Sequence, residues 1–306
     1  MKEVIVKTNQ LTKKYGDFVA LDNINMTVNK GDIYGLIGRN GAGKTTIMKI
    51  ITGLTESSGG DYELFSKPSN KLGDEKGRIG CLIENPAFFN NLSAYNNLKY
   101  YAIQKGISDM SKIGEVLEMV KLKDVKDKKF RTFSLGMKQR LGIAFALIDD
   151  PDLVILDEPI NGIDPIGISE LRDTFTRLTR ERGITFIISS HILSELYLMA
   201  NRFMFIDKGK VLKEITHEEL DAECMRCTVF RTNNVKKATA LIEEKLNIHD
   251  YKVIDNTEIR IYSDDIAPAV INTELVKNGI NVSALFESGI TLEEYFKSLV
   301  GGSTND

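Results

Sequence analysis

Four short runs along the chain are apolar almost throughout: Ile33-Tyr34-Gly35-Leu36-Ile37, Ile79-Gly80-Cys81-Leu82-Ile83, Leu153-Val154-Ile155-Leu156 and Ile184-Thr185-Phe186-Ile187-Ile188. Runs of this length and texture predict strands buried on both faces. Between them the period becomes helical, after Ile47, across residues 92–122 (Leu92, Tyr95, Leu98; Ile113, Val116, Leu117, Val120), from Ser134 to Ile148 and from Ile166 to Leu178. Apolar strands alternating with helices predict a parallel sheet covered on both faces. Residues 3–9 and 17–29 alternate instead (Val4, Val6; Phe18, Leu21, Ile24, Met26, Val28) and predict an antiparallel edge. Asp61 to Phe65 predicts a further strand, the polar stretch 66–78 a surface loop, and Asp207-Lys208-Gly209-Lys210 a hairpin turn.

From about residue 222 the order changes to strand, helix, strand, strand, helix, strand and a last helix, which resembles a ferredoxin-like unit. The chain therefore divides into residues 1–221, with a helical subdomain over about 85–150, and a C-terminal α+β unit over 222–306. The second unit carries no glycine-rich phosphate loop and reads as a regulatory or assembly domain. With 306 residues, 42% hydrophobic, both units can bury a core. A net charge of −3 gives no basic footprint, so no nucleic-acid partner is expected. No signal peptide is evident, and no apolar run approaches the roughly 18 residues of a membrane span. A soluble or peripheral cytoplasmic chain is expected. Three cysteines, Cys81, Cys224 and Cys227, are too few and odd in number for a disulfide framework.

The chemistry centres on Gly38-Arg39-Asn40-Gly41-Ala42-Gly43-Lys44-Thr45-Thr46, which comes after the first buried run and opens a helix. The spacing fits G-x-x-x-x-G-K-[ST], a loop that cradles nucleotide phosphates. Gly38, Gly41 and Gly43 lack a Cβ, so the backbone can take positive φ and approach a ligand. Lys44 supplies charge near the β and γ phosphates, and Thr45 a hydroxyl for Mg²⁺. Polar residues then stand just past the other buried runs: Glu84, Asp157, Glu158 and His191. Parallel sheets bind ligands at that end. Tyr15, before Gly16, can present its ring to a purine.

The ordered set of Tyr15, phosphate loop, Glu84, Ser134-Leu135-Gly136, Asp157-Glu158, Asp164 and His191 resembles the ATP-binding subunit of an ABC transporter over residues 3–220. The resemblance implies a P-loop NTPase fold with a mostly parallel central sheet, an antiparallel β edge and a helical subdomain. It implies that Tyr15 stacks on adenine, that Gly38 to Thr46 hold the phosphates with Arg39 and Asn40 at variable loop positions, and that Thr45 ligates Mg²⁺ with Asp157 beside it. Glu158 becomes the general base for the attacking water, and His191 holds water and base in register. Ser134, Leu135 and Gly136, at a helix start, address the ATP of a second cassette, and Asp164 belongs to the loop between them. The resemblance also implies an ATP-dependent homodimer, or a heterodimer with a related cassette.

Three departures stand out. The signature reads Phe133-Ser134-Leu135-Gly136-Met137 where Leu-Ser-Gly-Gly-Gln is usual, with Lys138 and Gln139 as candidates to compensate. The Asp164 loop reads Asn161-Gly162-Ile163-Asp164 in place of Ser-Ala-Leu-Asp. Glu84 replaces the usual glutamine, adding a charged oxygen for Mg²⁺ and repulsion toward Glu158. Around Glu84 the segment Leu82 to Phe89 resembles subunits that expel lantibiotics or bacitracin-like peptides. The expected function is thus an ATPase that powers export of a peptide antibiotic through separate integral-membrane permease subunits, seated on the cytoplasmic face of the membrane. Phe88, Phe89, Tyr95, Tyr100 and Tyr101 mark the expected permease contact. A soluble ABC-type ATPase, or an exporter ATPase for an unrelated substrate, is the alternative.

Overall fold

The computed structural model describes residues 2–84, 86–224, 227–263, 266–289 and 291–301. It divides into two compact units, parting between His217 and Glu218. In chain order the first unit holds β1 (Val4–Tyr15), β2 (Phe18–Asn29), β3 (Ile33–Ile37), α1 (Lys44–Ile51), β4 (Gly59–Leu64), β5 (Lys67–Pro68), β6 (Ile79–Leu82), α2 (Ala94–Gln104), α3 (Ser111–Met119) and α4 (Leu135–Leu147). It continues with β7 (Leu153–Leu156), α5 (Pro165–Arg182), β8 (Thr185–Ser190), α6 (Leu193–Tyr197), β9 (Arg202–Asp207) and β10 (Lys210–Thr216).

The apolar runs form a six-stranded sheet in the order β10-β9-β3-β8-β7-β6. All its pairs are parallel except β9 with β10. Every residue of β3, β7 and β8 is buried, the texture of strands covered on both faces. The register sets Leu82 opposite Leu156, Leu156 opposite Ile188, and Ile37 opposite Ser190. The C-terminal ends of β6, β7, β8 and β3 therefore line up along one edge, and the residues just past each strand meet their neighbours there.

The alternating N-terminal strands pair antiparallel as expected, but in a sheet of their own, β2-β1-β4-β5. The first strand runs on to Tyr15 rather than stopping near residue 9. Register shifts between Thr8 and Leu11, and again up to Lys14, let it carry the polar run Thr12-Lys13-Lys14 without breaking. The inner face of this antiparallel sheet shares one core with the central sheet and α1: Ile5, Leu11 and Leu21 join Leu36, Ile47, Met204 and Ile206. The polar stretch 66–78 is more ordered than a bare loop, with β5, two 3₁₀ turns and a Lys67–Glu75 ion pair.

Helix ends obey their sequence signals. Asp164 caps α5, accepting from the Gly167 N–H at 3.0 Å, Pro165 opens it, and left-handed Gly183 closes it. Ser134 caps α4 by accepting from the Met137 N–H. Helix α4 lies directly against β6. A Cβ added at Gly80 would fall inside contact distance of the Ala146 carbonyl oxygen, and one at Gly142 would meet the Leu82 methyls at 2.8 and 2.9 Å.

The second unit contains α7 (His217–Cys224, crossing the boundary), β11 (Cys227–Thr232), α8 (Val235–Leu246), β12 (Tyr251–Val253), β13 (Glu258–Ile261), α9 (Pro268–Lys277), β14 (Val282–Ser288) and α10 (Leu292–Gly301). The strands form an antiparallel sheet in the order β12-β13-β11-β14, the βαββαβ arrangement read from the sequence. Phe230, Ile259 and Ile261 from the sheet meet Ala238, Ile242, Ile271 and Leu275 from α8 and α9 in one core. Cys224 and Cys227 are free thiols, and the two residues between them lie outside the described set. No helix among the described residues is long and apolar enough to cross a membrane.

The closeness of α4 to β6 gives a direct check. Gly80→Ala forces a backbone carbonyl to move and is expected to cost about 2 kcal/mol or more, read from the midpoint of urea unfolding.

Candidate functional site

The chain leaves β3 at Ile37 and turns through Gly38 to Gly43 into α1. Gly41 (φ 80°) and Gly43 (φ 113°) are left-handed, whereas Gly38 is not. Gly38 is required for a different reason: a Cβ there would run into the Ile206 carbonyl of β9. Of the three glycines expected to take positive φ, two do, and the third permits close packing under the loop. Arg39 and Asn40 are the exposed tip, closed by the Ala42 N–H donating to the Arg39 carbonyl at 3.1 Å. The Ala42 carbonyl accepts from the Gly209 N–H at 2.9 Å, so the β9–β10 turn forms the floor. Gly43 is the N-cap of α1 and brings no side-chain acceptor, which leaves the first N–H groups, those of Lys44, Thr45 and Thr46 among them, available to an anion.

Asp157, first past β7, is buried and bonded on both oxygens. Its Oδ2 accepts from the Thr45 hydroxyl at 2.7 Å and its Oδ1 from the Ser189 hydroxyl at 2.5 Å. Ser189 Oγ accepts in turn from the Glu158 N–H at 2.8 Å. Thr45 and Asp157 present only oxygens, the donor type Mg²⁺ takes together with phosphate oxygens, so this pair fits that ion.

Glu158 has φ 49°, a conformation L residues rarely adopt. Its carboxylate meets His191 Nδ1 at 2.7 Å through one oxygen and Lys44 Nζ at 3.5 Å through the other. The buried Lys44 ammonium also donates to the Gly38 carbonyl at 2.7 Å and the Arg39 carbonyl at 3.3 Å. Gln139, buried on α4, donates to the Glu158 carbonyl at 3.2 Å. Of the two candidates to compensate the altered signature, Gln139 therefore ties α4 to Glu158, while Lys138 stands over the Phe130 ring at 5.3 Å.

Glu84, two residues past β6, is also left-handed (φ 63°). Its carboxylate is paired with Lys49 Nζ of α1 at 2.5 Å. This bond raises the Lys49 ammonium pKa above its ordinary value. Tyr15, at the end of β1, is half exposed, with Lys13 Nζ 4.9 Å from its ring centroid.

Ser134 and Gly136 begin α4 beside the Asp164 loop. A Cβ on Gly136 would lie 2.8 Å from the Gly162 carbonyl. Leu135, 55% exposed, covers Gly162, whose own Cβ would fall 2.7 Å from Leu135 Cγ and closer still to a methyl. The two departures from the usual signature and Asp164 loop thus touch: a leucine at 135 is accommodated because residue 162 has no side chain.

Sequence reasoning missed Ser189, Lys49 and the contact of Leu135 with Gly162. Ser189 carried a faint signal, a hydroxyl directly after the buried run Ile184 to Ile188. Lys49 carried none, since its partner lies thirty-five residues on.

The phosphate loop, the acidic strand ends and the capped signature helix define an ATP-binding cassette. The family model described as ABC transporter matches residues 21–161. The chain belongs to the ATP-binding subunits of ABC transporters. More narrowly, it is 44% identical over 301 residues, 98% of either chain, to the bacitracin transport ATP-binding protein BcrA of Bacillus licheniformis. It is 46% identical over 210 residues to the lantibiotic transport ATP-binding protein SrtF of Streptococcus pyogenes, covering 69% of this chain and 90% of that one. Among solved structures, the dimeric post-hydrolysis state of the ATP-binding cassette MJ0796 bound to ADP and Pi matches with a TM-score of 0.64 at 25% identity, over 70% of this chain and 99% of that one.

The contact between the two altered motifs is testable. Gly162→Ala meets both the Leu135 side chain and a φ of 75° and is expected to cost about 2 kcal/mol. Leu135→Ala, at an exposed site, is expected to cost under about 0.5 kcal/mol. Combining them recovers the steric share and leaves about 1 kcal/mol of backbone strain. Urea unfolding of the four proteins measures the coupling; additive losses would show that the two positions are independent.

Proposed function

We propose that this chain is the ATP-hydrolysing subunit of an exporter for a bacitracin-like peptide antibiotic, working as two copies beneath separate permease subunits. The observation that carries the ATPase reading is the Glu158 carboxylate, held between His191 and Lys44 directly past a buried strand. Near full-length likeness to a bacitracin-type subunit, against 69% coverage for the lantibiotic type, favours the former class of cargo.

In the mechanism, Gly41, Gly43 and the first N–H groups of α1 hold the phosphates. Lys44 exchanges the loop carbonyls for the β and γ oxygens. Thr45 and Asp157 would hold Mg²⁺, which would neutralise charge on the phosphates. Glu84, past the neighbouring strand β6, would add an oxygen at the edge of that site. Glu158 takes the proton of the attacking water, and His191, bonded to Glu158 Oε2, orients it. Tyr15 stacks on the adenine. Ser134, Leu135 and Gly136 address the γ phosphate held by the second copy, with Asp164 fixing the loop between them. The C-terminal unit serves regulation or assembly.

The permease contact lies in the helical subdomain. Phe88 packs edge-on against Tyr101, Phe130 and Phe145 at 5.2–6.2 Å. Beside it an apolar cavity of ≈ 220 Å³ is lined by Leu54, Ile83, Pro86, Phe88, Tyr101 and Phe145. Phe89 and Tyr100 are 45% and 48% exposed next to it. An apolar hollow rimmed by exposed aromatics suits a helix presented by a membrane subunit on the cytoplasmic face.

Glu158→Gln is expected to keep ATP binding, accumulate an ATP-dependent dimer on size-exclusion chromatography and lose at least about 100-fold in turnover. Undiminished turnover would remove Glu158 as the base. Phe89→Asp is expected to leave basal ATPase unchanged and to abolish its stimulation by the co-purified permease. If stimulation survives, the permease sits elsewhere.

A further inference from the structure

We propose that Lys49 is the positioning residue for Glu84, so that the glutamate at this strand end operates as one half of an ion pair. The inference rests on the ATP-site reading and adds to it a residue that the motifs do not mark.

Lys49 lies one turn after Thr45, so both stand on the same face of α1. Thr45, one turn before Lys49, bonds Asp157 at 2.7 Å. The lysine head therefore stands at the border of the oxygen pair that suits Mg²⁺. Glu84 meets it there at 2.5 Å, with its backbone in the left-handed region and its side chain 63% exposed. A carboxylate that exposed has no direction of its own; the ammonium supplies one. The register of β6 and β7 places Glu84 level with Glu158, so three carboxylates, Glu84, Asp157 and Glu158, crowd two neighbouring strand ends. The cations facing them from α1 are Lys44 and Lys49. Lys44 is already engaged with Glu158 and is wanted by the triphosphate. Without Lys49, the charge on Glu84 would stand uncompensated beside a polyanionic ligand. A neutral glutamine at 84 would make no such demand. The glutamate and Lys49 therefore act as a unit, and the sign of their coupling is fixed: loss of Lys49 harms only a protein that has a glutamate at 84.

The test uses the full chain with Lys49→Met, Glu84→Gln, both together, and Lys49→Arg, each checked for an unchanged thermal transition. The readout is the affinity for trinitrophenyl-ATP in EDTA, where no divalent ion masks the carboxylate. Lys49→Met is expected to weaken binding about fivefold, the scale of one short-range charge at the rim of a half-wet site. The double variant should bind within about twofold of Glu84→Gln, and Lys49→Arg within about twofold of the parent. Equal weakening by Lys49→Met in both backgrounds would overturn the proposal, because Lys49 would then act on the nucleotide itself. No weakening in either background would overturn it too. Failure of the parent chain to bind the nucleotide would instead remove the ATP-site reading beneath it.

Discussion

The first unit depends on one buried carboxylate. Asp157 closes β7, yet its two oxygens are bound by Thr45, at the start of the helix after β3, and by Ser189, near the end of β8. A carboxylate taken out of water is costly unless its lone pairs are satisfied. Here the satisfying groups come from two other strand–helix connections, so the burial of Asp157 ties three chain segments to a common point. Ser189 extends the tie to the backbone of Glu158, which fixes where the next carboxylate begins. The phosphate loop, the acidic strand end and the segment entering His191 are thereby indexed to each other before any ligand arrives.

Around that point the two glutamates are built alike. Glu84 and Glu158 come after adjacent parallel strands at matching register, and both backbones turn left-handed. The turn costs on the order of 1–2 kcal/mol at each, and at each a side-chain bond holds the end result: Lys49 at one, His191 and Lys44 at the other. Strain at the strand ends aims both carboxylates, while unstrained, fully buried strands carry them. Beneath, Gly38 lets β9 come close under the phosphate loop, and the Gly209 N–H of the following turn bonds the Ala42 carbonyl.

Much of this was legible in the sequence because burial writes itself plainly. Strands covered on both faces carry an apolar run through their middle, so β3, β7 and β8 declare themselves, and the polar residues at and beyond their ends declare the site. The helix start at Ser134 was equally local, whereas Asp164 was read only as a loop residue and the structure adds its capping of α5. The features that escaped depended on distance or on geometry with no local preference. The first strand continues past residue 9 because bulges absorb a polar run that breaks the alternation. Gly38 differs from Gly41 and Gly43 only through a carbonyl contributed by β9, far along the chain. Nothing in a glutamate signals positive φ. Lys49 looks like any lysine on the open side of a short helix until Glu84 is set against it.

The relation between Leu135 and Gly162 is one-sided in space, and that limits which pairs of residues the two positions hold together. A glycine at 162 leaves room for either a glycine or a leucine at 135, whereas an alanine at 162 would require the leucine side chain to swing aside. A side chain on the helix tip and one on the loop therefore compete for a single volume, and in this chain the helix tip occupies it.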